Sequence, residues 1–314
     1  MSTKSLISFV IPVFNEQDNL KWHYEKLLDY FSKREFKYEI IYIDDGSSDD
    51  SRELIKGLKA TNPCVRYLSF SRNFGKEAAT SAGLREASGD AVVMIDADGQ
   101  HPIETVDSFI KEWNNGFEVV VGMRKSNSKE GAIKKYGSKL FYKLLNSIVS
   151  GDVMPGSTDF RLVDRAVVDE FNKFTEHNRI TRGLIDWLGF KRAYVEFNAP
   201  ARHGGKATYS FRKLLKLALH AFVSQTTKPL QFAGMLGFVV MFISAGLSTF
   251  VLVEKYLFGD VFNLAITGTA ILGLFISFLI GLVLICQWLL ALYVESIHSE
   301  TQNRPLYVIR DKDL

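Results

Sequence analysis

The apolar run Ala91-Val92-Val93-Met94-Ile95 stops abruptly at Asp96-Ala97-Asp98-Gly99-Gln100-His101-Pro102, which brings two carboxylates and a carboxamide into one short turn. Hard oxygen donors of this kind suit Mg²⁺ or Mn²⁺ carrying phosphates. A buried strand that ends in Asp-x-Asp sets its polar residues at the carboxyl edge of a sheet, where open α/β folds bind their ligands. The competing reading is an acidic turn that caps the next helix, and Asp-x-Asp alone does not separate the two.

Two further clusters invite chemistry. Asp44-Asp45-Gly46-Ser47 offers carboxylates that can accept from a base or a ribose hydroxyl, although the same composition makes an ordinary turn. Ser71-Arg72-Asn73-Phe74-Gly75-Lys76 brings two cations and a glycine to a helix start, which suits a phosphate or a nucleobase carbonyl; a solvated loop is the alternative. The fingerprints of P-loop and Rossmann dinucleotide sites are absent, as are H-E-x-x-H and a paired C-x-x-C, so zinc is disfavoured.

Strands and helices alternate through the first 120 residues. Ile7 to Val13, Tyr38 to Ile43, Val65 to Phe70, Ala91 to Ile95 and Val119 to Val121 read as strands, with an amphipathic helix opening at Asn15-Glu16-Gln17-Asp18 and running to about Phe31. The spacing predicts an α/β domain with a mostly parallel sheet covered on both faces. Right-handed crossovers put successive strand ends on one side, so Phe14 to Glu16, Asp44 to Ser47, Arg72 to Lys76 and Asp96 to Gln100 are expected to converge.

The C-terminal third is different. No charged residue occurs from Phe232 to Val253 or from Val261 to Val294. Each stretch exceeds the roughly 20 residues a helix needs to cross a bilayer, so two transmembrane helices are expected within 229–296. Arg212, Lys213, Lys216 and Lys228 precede them, and Arg304, Arg310 and Lys312 follow. The positive-inside rule then places the N-terminal domain and the 297–314 tail in the cytoplasm, on an inner (plasma) membrane protein that spans it more than once. Nothing in Met1 to Val13 reads as a signal peptide, and Cys64 and Cys286 form no plausible disulfide, which fits a reducing compartment. A net charge of +3 gives no argument for nucleic acid.

Between domain and membrane lie two basic amphipathic segments. From Ser128 to Ser150, Ile133, Tyr136, Leu140, Phe141, Leu144, Leu145 and Ile148 recur at helical spacing beside Lys129, Lys134, Lys135, Lys139 and Lys143. Tyr209 to Val223 carries Arg212, Lys213 and Lys216, and 209–228 reads as a second interfacial helix. Both suit anionic headgroups, although either could simply pack on the domain.

Taken in order, Ile11-Pro12-Val13-Phe14-Asn15-Glu16, Ile43-Asp44-Asp45-Gly46-Ser47-Ser48-Asp49, Asn73-Phe74-Gly75-Lys76 and Asp96-Ala97-Asp98-Gly99-Gln100 resemble the signature of family 2 glycosyltransferases with a GT-A fold. Gly156-Ser157-Thr158-Asp159-Phe160-Arg161 and Arg202-His203-Gly204-Gly205-Lys206-Ala207-Thr208-Tyr209-Ser210, with two C-terminal spans, are similar to the polyprenyl-phosphate branch. That branch includes dolichol-phosphate mannose synthases and bactoprenol glucosyltransferases of the GtrB type. The resemblance implies a GT-A domain over 1–208 that inverts a hexose as it transfers it from a nucleotide sugar, UDP-glucose favoured, to polyprenyl phosphate. Pro12, Phe14, Glu16, Asp44, Asp45 and Lys76 would hold the nucleoside, Asp96 and Ala97 would lie against ribose or sugar, and Asp98 and Gln100 would ligate Mg²⁺ or Mn²⁺ on the diphosphate. Arg202 and Lys206 sit on a Gly-Gly loop suited to close over that diphosphate, and Arg124, Lys135 and Ser138 become candidates for the acceptor phosphate. Asp159 resembles a position discussed as a base. A phosphate monoester with a second pKa near 6 needs no strong base at neutral pH, so Asp159 is assigned to orienting acceptor or sugar. Its structural alternatives are a helix cap or a pairing with Arg161 or Arg165.

Three other readings stay open. Mannose or another sugar could be the donor. A processive polysaccharide synthase would resemble only the front half and would carry Gln-x-x-Arg-Trp, which is absent. A silent scaffold would merely bind nucleotide sugar, and self-association into a homo-oligomer is compatible with any of these.

Overall fold

A computed structural model of the protein describes residues 5–125, 157–176, 179–200, 253 and 268–313. The first strand, β1 (Leu6–Val13), is an apolar octapeptide buried along nearly its whole length. Successive side chains of a strand point to opposite faces, so such a segment needs cover on both sides. Ile7, Phe9, Ile11 and Val13 enter one hydrophobic cluster, and Val10 enters the other.

The chain continues as α1 (Gln17–Ser32), β2 (Lys37–Asp44), α2 (Ser51–Thr61), β3 (Val65–Phe70), α3 (Lys76–Glu86), β4 (Ala91–Met94), α4 (Thr105–Asn114) and β5 (Val119–Arg124). It resumes with β6 (Ser157–Asp164), α5 (Arg165–Phe171), α6 (Thr181–Trp187), β7 (Arg192–Phe197), α7 (Gly268–Thr301) and β8 (Ile309–Asp313). Eight strands form one sheet in the order β7-β5-β6-β4-β1-β2-β3-β8. β1 pairs in parallel with β2 and β4, β2 with β3, and β5 with β7. Two strands run against this direction, β6 between β4 and β5 and β8 along β3.

Leu20 and Leu27 of α1, Ile55 of α2 and Phe109 of α4 cover one face; Ala79 and Ala82 of α3, Val168 of α5 and Ile185 of α6 cover the other. This is the two-faced α/β arrangement expected from the alternating elements. Because α1 and α3 lie on opposite faces, the crossovers after β1 and before β4 part between those strands. That opens the crevice beyond their carboxyl ends in which open α/β sheets bind ligands.

Three strands were not predicted. β6 starts with Ser157, Thr158 and Asp159 and encloses Arg161, so its pattern is not that of an apolar strand; it forms because β4 and β5 pair with its two edges. β7 likewise gains its definition from β5. The tail holds β8, whose sequence Ile-Arg-Asp-Lys-Asp is polar because it is an edge strand, and Lys56–Asp311 (3.0 Å) and Lys59–Asp313 (3.5 Å) ion pairs fasten it to α2. Behind it Tyr307 stacks on Phe70 at 4.8 Å.

The chain divides into two compact units, and β8 belongs with residues 1–147 and 151–209 rather than with the second unit, 148–150 and 210–302. Within the second unit α7 spans 34 residues. Its sequence from Gly268 to Val294 contains no charged residue. Among the described residues no helix is long and apolar enough to cross a membrane. The expected first span, the basic segments 128–150 and 209–228, and Lys135, Ser138, Arg202 and Lys206 also lie outside the described residues.

Candidate active site

The loops that follow β1, β2 and β3 are tied to one another by hydrogen bonds. Asn15, in the left-handed region at φ 55°, donates its backbone N–H to Ser47 Oγ at 3.0 Å and accepts from the Ser48 N–H through Oδ1 at 2.8 Å. Glu16 N–H donates to Ser51 Oγ at 2.9 Å. Asp44 is fully enclosed, its Oδ1 accepting from Ser47 N–H at 2.8 Å and its Oδ2 paired with Arg52 at 3.0 Å. Asp45 accepts the N–H groups of Phe74 (2.7 Å) and Gly75 (2.9 Å), so the β2 loop fixes the start of α3. Burial pushes the Asp45 carboxyl upward against the pull of those two amides. Gly46, at φ 67°, is needed for close approach: a Cβ there would sit 2.3 Å from the Arg72 carbonyl carbon. Two of the expected nucleoside contacts, Asp44 and Asp45, thus already accept from protein donors. Phe14 is a large apolar side chain this edge leaves open, at 41 % exposed, while Pro12 lies within β1.

Lys76 opens α3 after Gly75, whose φ of 101° suits glycine. Its ammonium lies 2.7 and 2.8 Å from the two oxygens of Asp96 and 3.2 Å from Asp159 Oδ2. Asp96 follows β4, and the antiparallel register that sets Met94 opposite Arg161 carries Asp159 to the level of Asp96. Three residues far apart in sequence thus form one ion cluster at the crevice between β1 and β4. Burial acts against the Lys76 ammonium, but the charges of Asp96 and Asp159 outweigh it and raise its pKa above the ordinary lysine value. Burial likewise opposes ionisation of Asp96, and the Lys76 charge outweighs it, holding the carboxyl below the ordinary range.

The structural alternatives for Asp159 are overturned. It caps no helix, since the side-chain cap of α5 is Asp164, which accepts from Ala166 N–H. Arg161 instead meets Asp186 at 2.9 Å and Arg165 donates to the carbonyls of Ala87 and Gly89, so neither is free for Asp159. Thr158 donates to the Gly122 carbonyl at 2.8 Å, which anchors the start of β6 and with it Asp159.

Asp98 Oδ1 accepts from Gln100 N–H at 3.0 Å, closing a tight turn that leaves both side chains part-exposed. The turn does not cap α4, which begins only at Thr105. Among the described residues no group of three or more His, Cys, Asp or Glu side chains has metal-binding spacing. One carboxylate and one carboxamide oxygen nevertheless fit a Mg²⁺ or Mn²⁺ ion whose remaining positions are filled by phosphate oxygens and water. Arg124, exposed at the carboxyl end of β5, lies on this same edge of the sheet.

Two histidines beside the cluster were not assigned a role from sequence. His101 accepts the Asp96 N–H through Nδ1 at 3.1 Å and stacks on Phe160 with ring centres 4.7 Å apart. His23 of α1 is 1 % exposed, and neither ring nitrogen has a hydrogen-bond partner among the described residues. Burial depresses its pKa from 6.5 to about 4, opposed by the charge of Asp96 and reinforced by His101. The signal for His101 was its place directly after the Asp-x-Asp-Gly-Gln turn; His23 gave none, because on an amphipathic helix it reads as one more buried position.

The sequence profile described as Glycosyl transferase family 2 matches residues 8–171, which takes in β1 through α5. The chain belongs to that family. Among curated relatives of this glycosyltransferase, the SfII prophage-derived bactoprenol glucosyl transferase of Shigella flexneri is 36 % identical, the match covering 97 % of each chain. The prophage bactoprenol glucosyl transferase homolog of Escherichia coli K12 is 34 % identical over 97 % of this chain and 98 % of its own. The uncharacterized glycosyltransferase YkcC of Bacillus subtilis is 34 % identical over 99 % and 95 %. Among solved structures, mannosyl-3-phosphoglycerate synthase from Rubrobacter xylanophilus superposes with a TM-score of 0.52 at 18 % identity, covering 74 % of this chain and 75 % of that one. That likeness places the sheet in the GT-A fold.

Proposed function

We propose that this glycosyltransferase moves glucose from UDP-glucose to the phosphate of a polyprenyl chain such as undecaprenyl phosphate, inverting the anomeric centre. A phosphate oxygen of the acceptor bonds to the sugar C1 as the bond from C1 to the diphosphate breaks, and UDP leaves. The observation that carries this reading is the match to bactoprenol glucosyl transferases through both the GT-A domain and the apolar C-terminal third.

The residues divide the work. Phe14 offers an exposed ring to the base, and Asp96, fixed by Lys76, offers an acceptor to ribose or sugar hydroxyls. Asp159, on the other side of Lys76, orients the incoming acceptor or the sugar. No strong base is required, because a phosphate monoester with a second pKa near 6 is already largely deprotonated at neutral pH. Asp98 and Gln100 would hold Mg²⁺ or Mn²⁺; when bound, such an ion neutralises the charge of the departing diphosphate. Arg124 supplies a cation for the acceptor phosphate on the same edge, with Lys135 and Ser138 assigned beside it. Arg202 and Lys206 are assigned to a loop that closes over the diphosphate and excludes water.

The acceptor is a membrane lipid, and the chain is proposed to cross the inner membrane twice within 229–296 with both termini cytoplasmic. The pairing of β8 with β3 supports this topology. The chain leaves the catalytic unit near 209 and rejoins it by 303, which an even number of crossings satisfies.

The test uses the full chain in lipid nanodiscs with undecaprenyl phosphate, Mg²⁺ or Mn²⁺, and radiolabelled UDP-, GDP- and dTDP-sugars. Label from UDP-glucose in the lipid phase, with one UDP released per sugar, is the expected result. Label from GDP-mannose alone would replace the donor assignment, and no lipid label from any donor would overturn the proposal.

A further inference from the structure

The turn that presents Asp96, Asp98 and Gln100 is held by His101 at a backbone amide. Its Nδ1 takes the Asp96 backbone N–H at 3.1 Å, which puts the ring proton on Nε2. That nitrogen faces Asp96 Oδ2 at 3.9 Å, so the same ring addresses the amide and the carboxylate of one residue. The imidazole lies flat on Phe160, 6° from parallel, and meets the edge of Phe197 at 6.1 Å and 88°. Phe160 directly follows Asp159 in β6, and Phe197 ends β7. One largely enclosed ring therefore joins the β4 turn to the two strands on its far side, while Lys76 ties Asp96 to Asp159 from the open side. An aromatic residue that served only to fill this space would not need an acceptor at Nδ1.

We propose that His101 is a positioning residue for sugar transfer: its Nδ1 acceptor fixes the Asp96–Gln100 turn, and its stack on Phe160 holds that turn in register with Asp159. This rests on the reading of Asp96 and Asp98 as donor contacts. It assigns to a residue outside the Asp-x-Asp-Gly-Gln signature the task of aligning the donor side with the acceptor side.

Three variants separate the acceptor from the ring. His101→Phe keeps the stack and removes the acceptor. His101→Asn sets its Oδ1 where Nδ1 stood, and His101→Gln sets its carboxamide where Nε2 stood. In the full chain, His101→Phe should melt near the wild-type temperature and lower kcat about 10- to 100-fold, the range found when outer partners of site ligands are lost, with KM for polyprenyl phosphate unchanged. Amide hydrogen exchange in a peptide covering Asp96 should speed up in the same variant. His101→Asn should restore slow exchange but, lacking the stack, only part of kcat, and His101→Gln should restore neither. Wild-type kcat with a protected amide in His101→Phe would overturn the proposal, as would equal behaviour of the Asn and Gln variants. If His101→Phe does not fold, the Asn and Gln pair decides alone. If the wild-type chain transfers no sugar to lipid, the functional reading fails, while the exchange measurement still tests the hydrogen bond.

Discussion

His23 should make this protein lose stability in acid through one identifiable residue. It projects from α1 into the core at 1 % exposure, with Asp96 and His101 as its charged or titratable neighbours and no hydrogen-bond partner for either nitrogen among the described residues. Burial lowers its pKa from 6.5 to about 4. In the unfolded chain the ring takes up a proton near 6.5, whereas in the fold it stays neutral until about pH 4, so between these values the unfolded state binds more protons. The stability tied to this neutral ring is therefore complete above about pH 6.5 and is lost as pH falls toward 4. The full gap corresponds to about 3 kcal/mol, of which about 2 kcal/mol is lost between about pH 7.5 and about pH 5. His23→Leu removes the titration and the two unpartnered nitrogens while keeping an apolar side chain of similar bulk. Near pH 7.5 the variant should be at least as stable as wild type, because it no longer buries unpaired polar atoms, and near pH 5 its advantage should grow by about 2 kcal/mol. Denaturant unfolding of both full-length proteins in the same detergent, followed by tryptophan fluorescence across this pH range, measures the difference and cancels the other carboxyl and histidine titrations. An advantage that stays constant with pH would refute the reasoning, and one that shrinks in acid would mean that His23 is charged and paired with Asp96.

Asp98→Ala should nearly abolish transfer without lowering the melting temperature, because the residue sits in a surface turn; turnover with Mg²⁺ or Mn²⁺ beside a thermal melt checks it, and full wild-type activity in excess EDTA would remove the metal assignment. Asp159→Asn should reduce kcat yet leave the acid limb of the pH–rate profile where the acceptor's second pKa near 6 puts it, and disappearance of that limb would make Asp159 the base after all. Tyr307→Ala should destabilise the catalytic unit by about 1 kcal/mol or more through loss of the stack on Phe70, read as a lower denaturation midpoint with nucleotide affinity retained. For the same reason a chain ended near Lys228 should melt lower than the full protein, since it lacks β8 as well as the spans.

The parallel half of the sheet was legible in the sequence because its strands are apolar at successive positions and end in polar turns. A buried strand flanked by helices leaves few alternatives for Ile7 to Val13 or Ala91 to Ile95, and right-handed crossovers then bring Phe14, Asp45, Lys76 and Asp96 to one edge. Neither β6 nor β8 could be read that way. Ser157–Asp164 and Ile309–Asp313 are polar segments made into strands by partners 69 and 246 residues away along the chain, as in the pairings of Val93 with Leu162 and Tyr67 with Asp313. Residue types announced which groups could do chemistry at Asp96 and Asp98, since charge and donor hardness belong to the side chain itself. Only the tertiary structure decided that Lys76 stands between Asp96 and Asp159, that Asp44 and Asp45 spend their oxygens on Arg52 and backbone amides, and that His101 grips the Asp96 amide. Each of those outcomes depends on distances of a few ångströms between strands, which register and packing set and which no local pattern records.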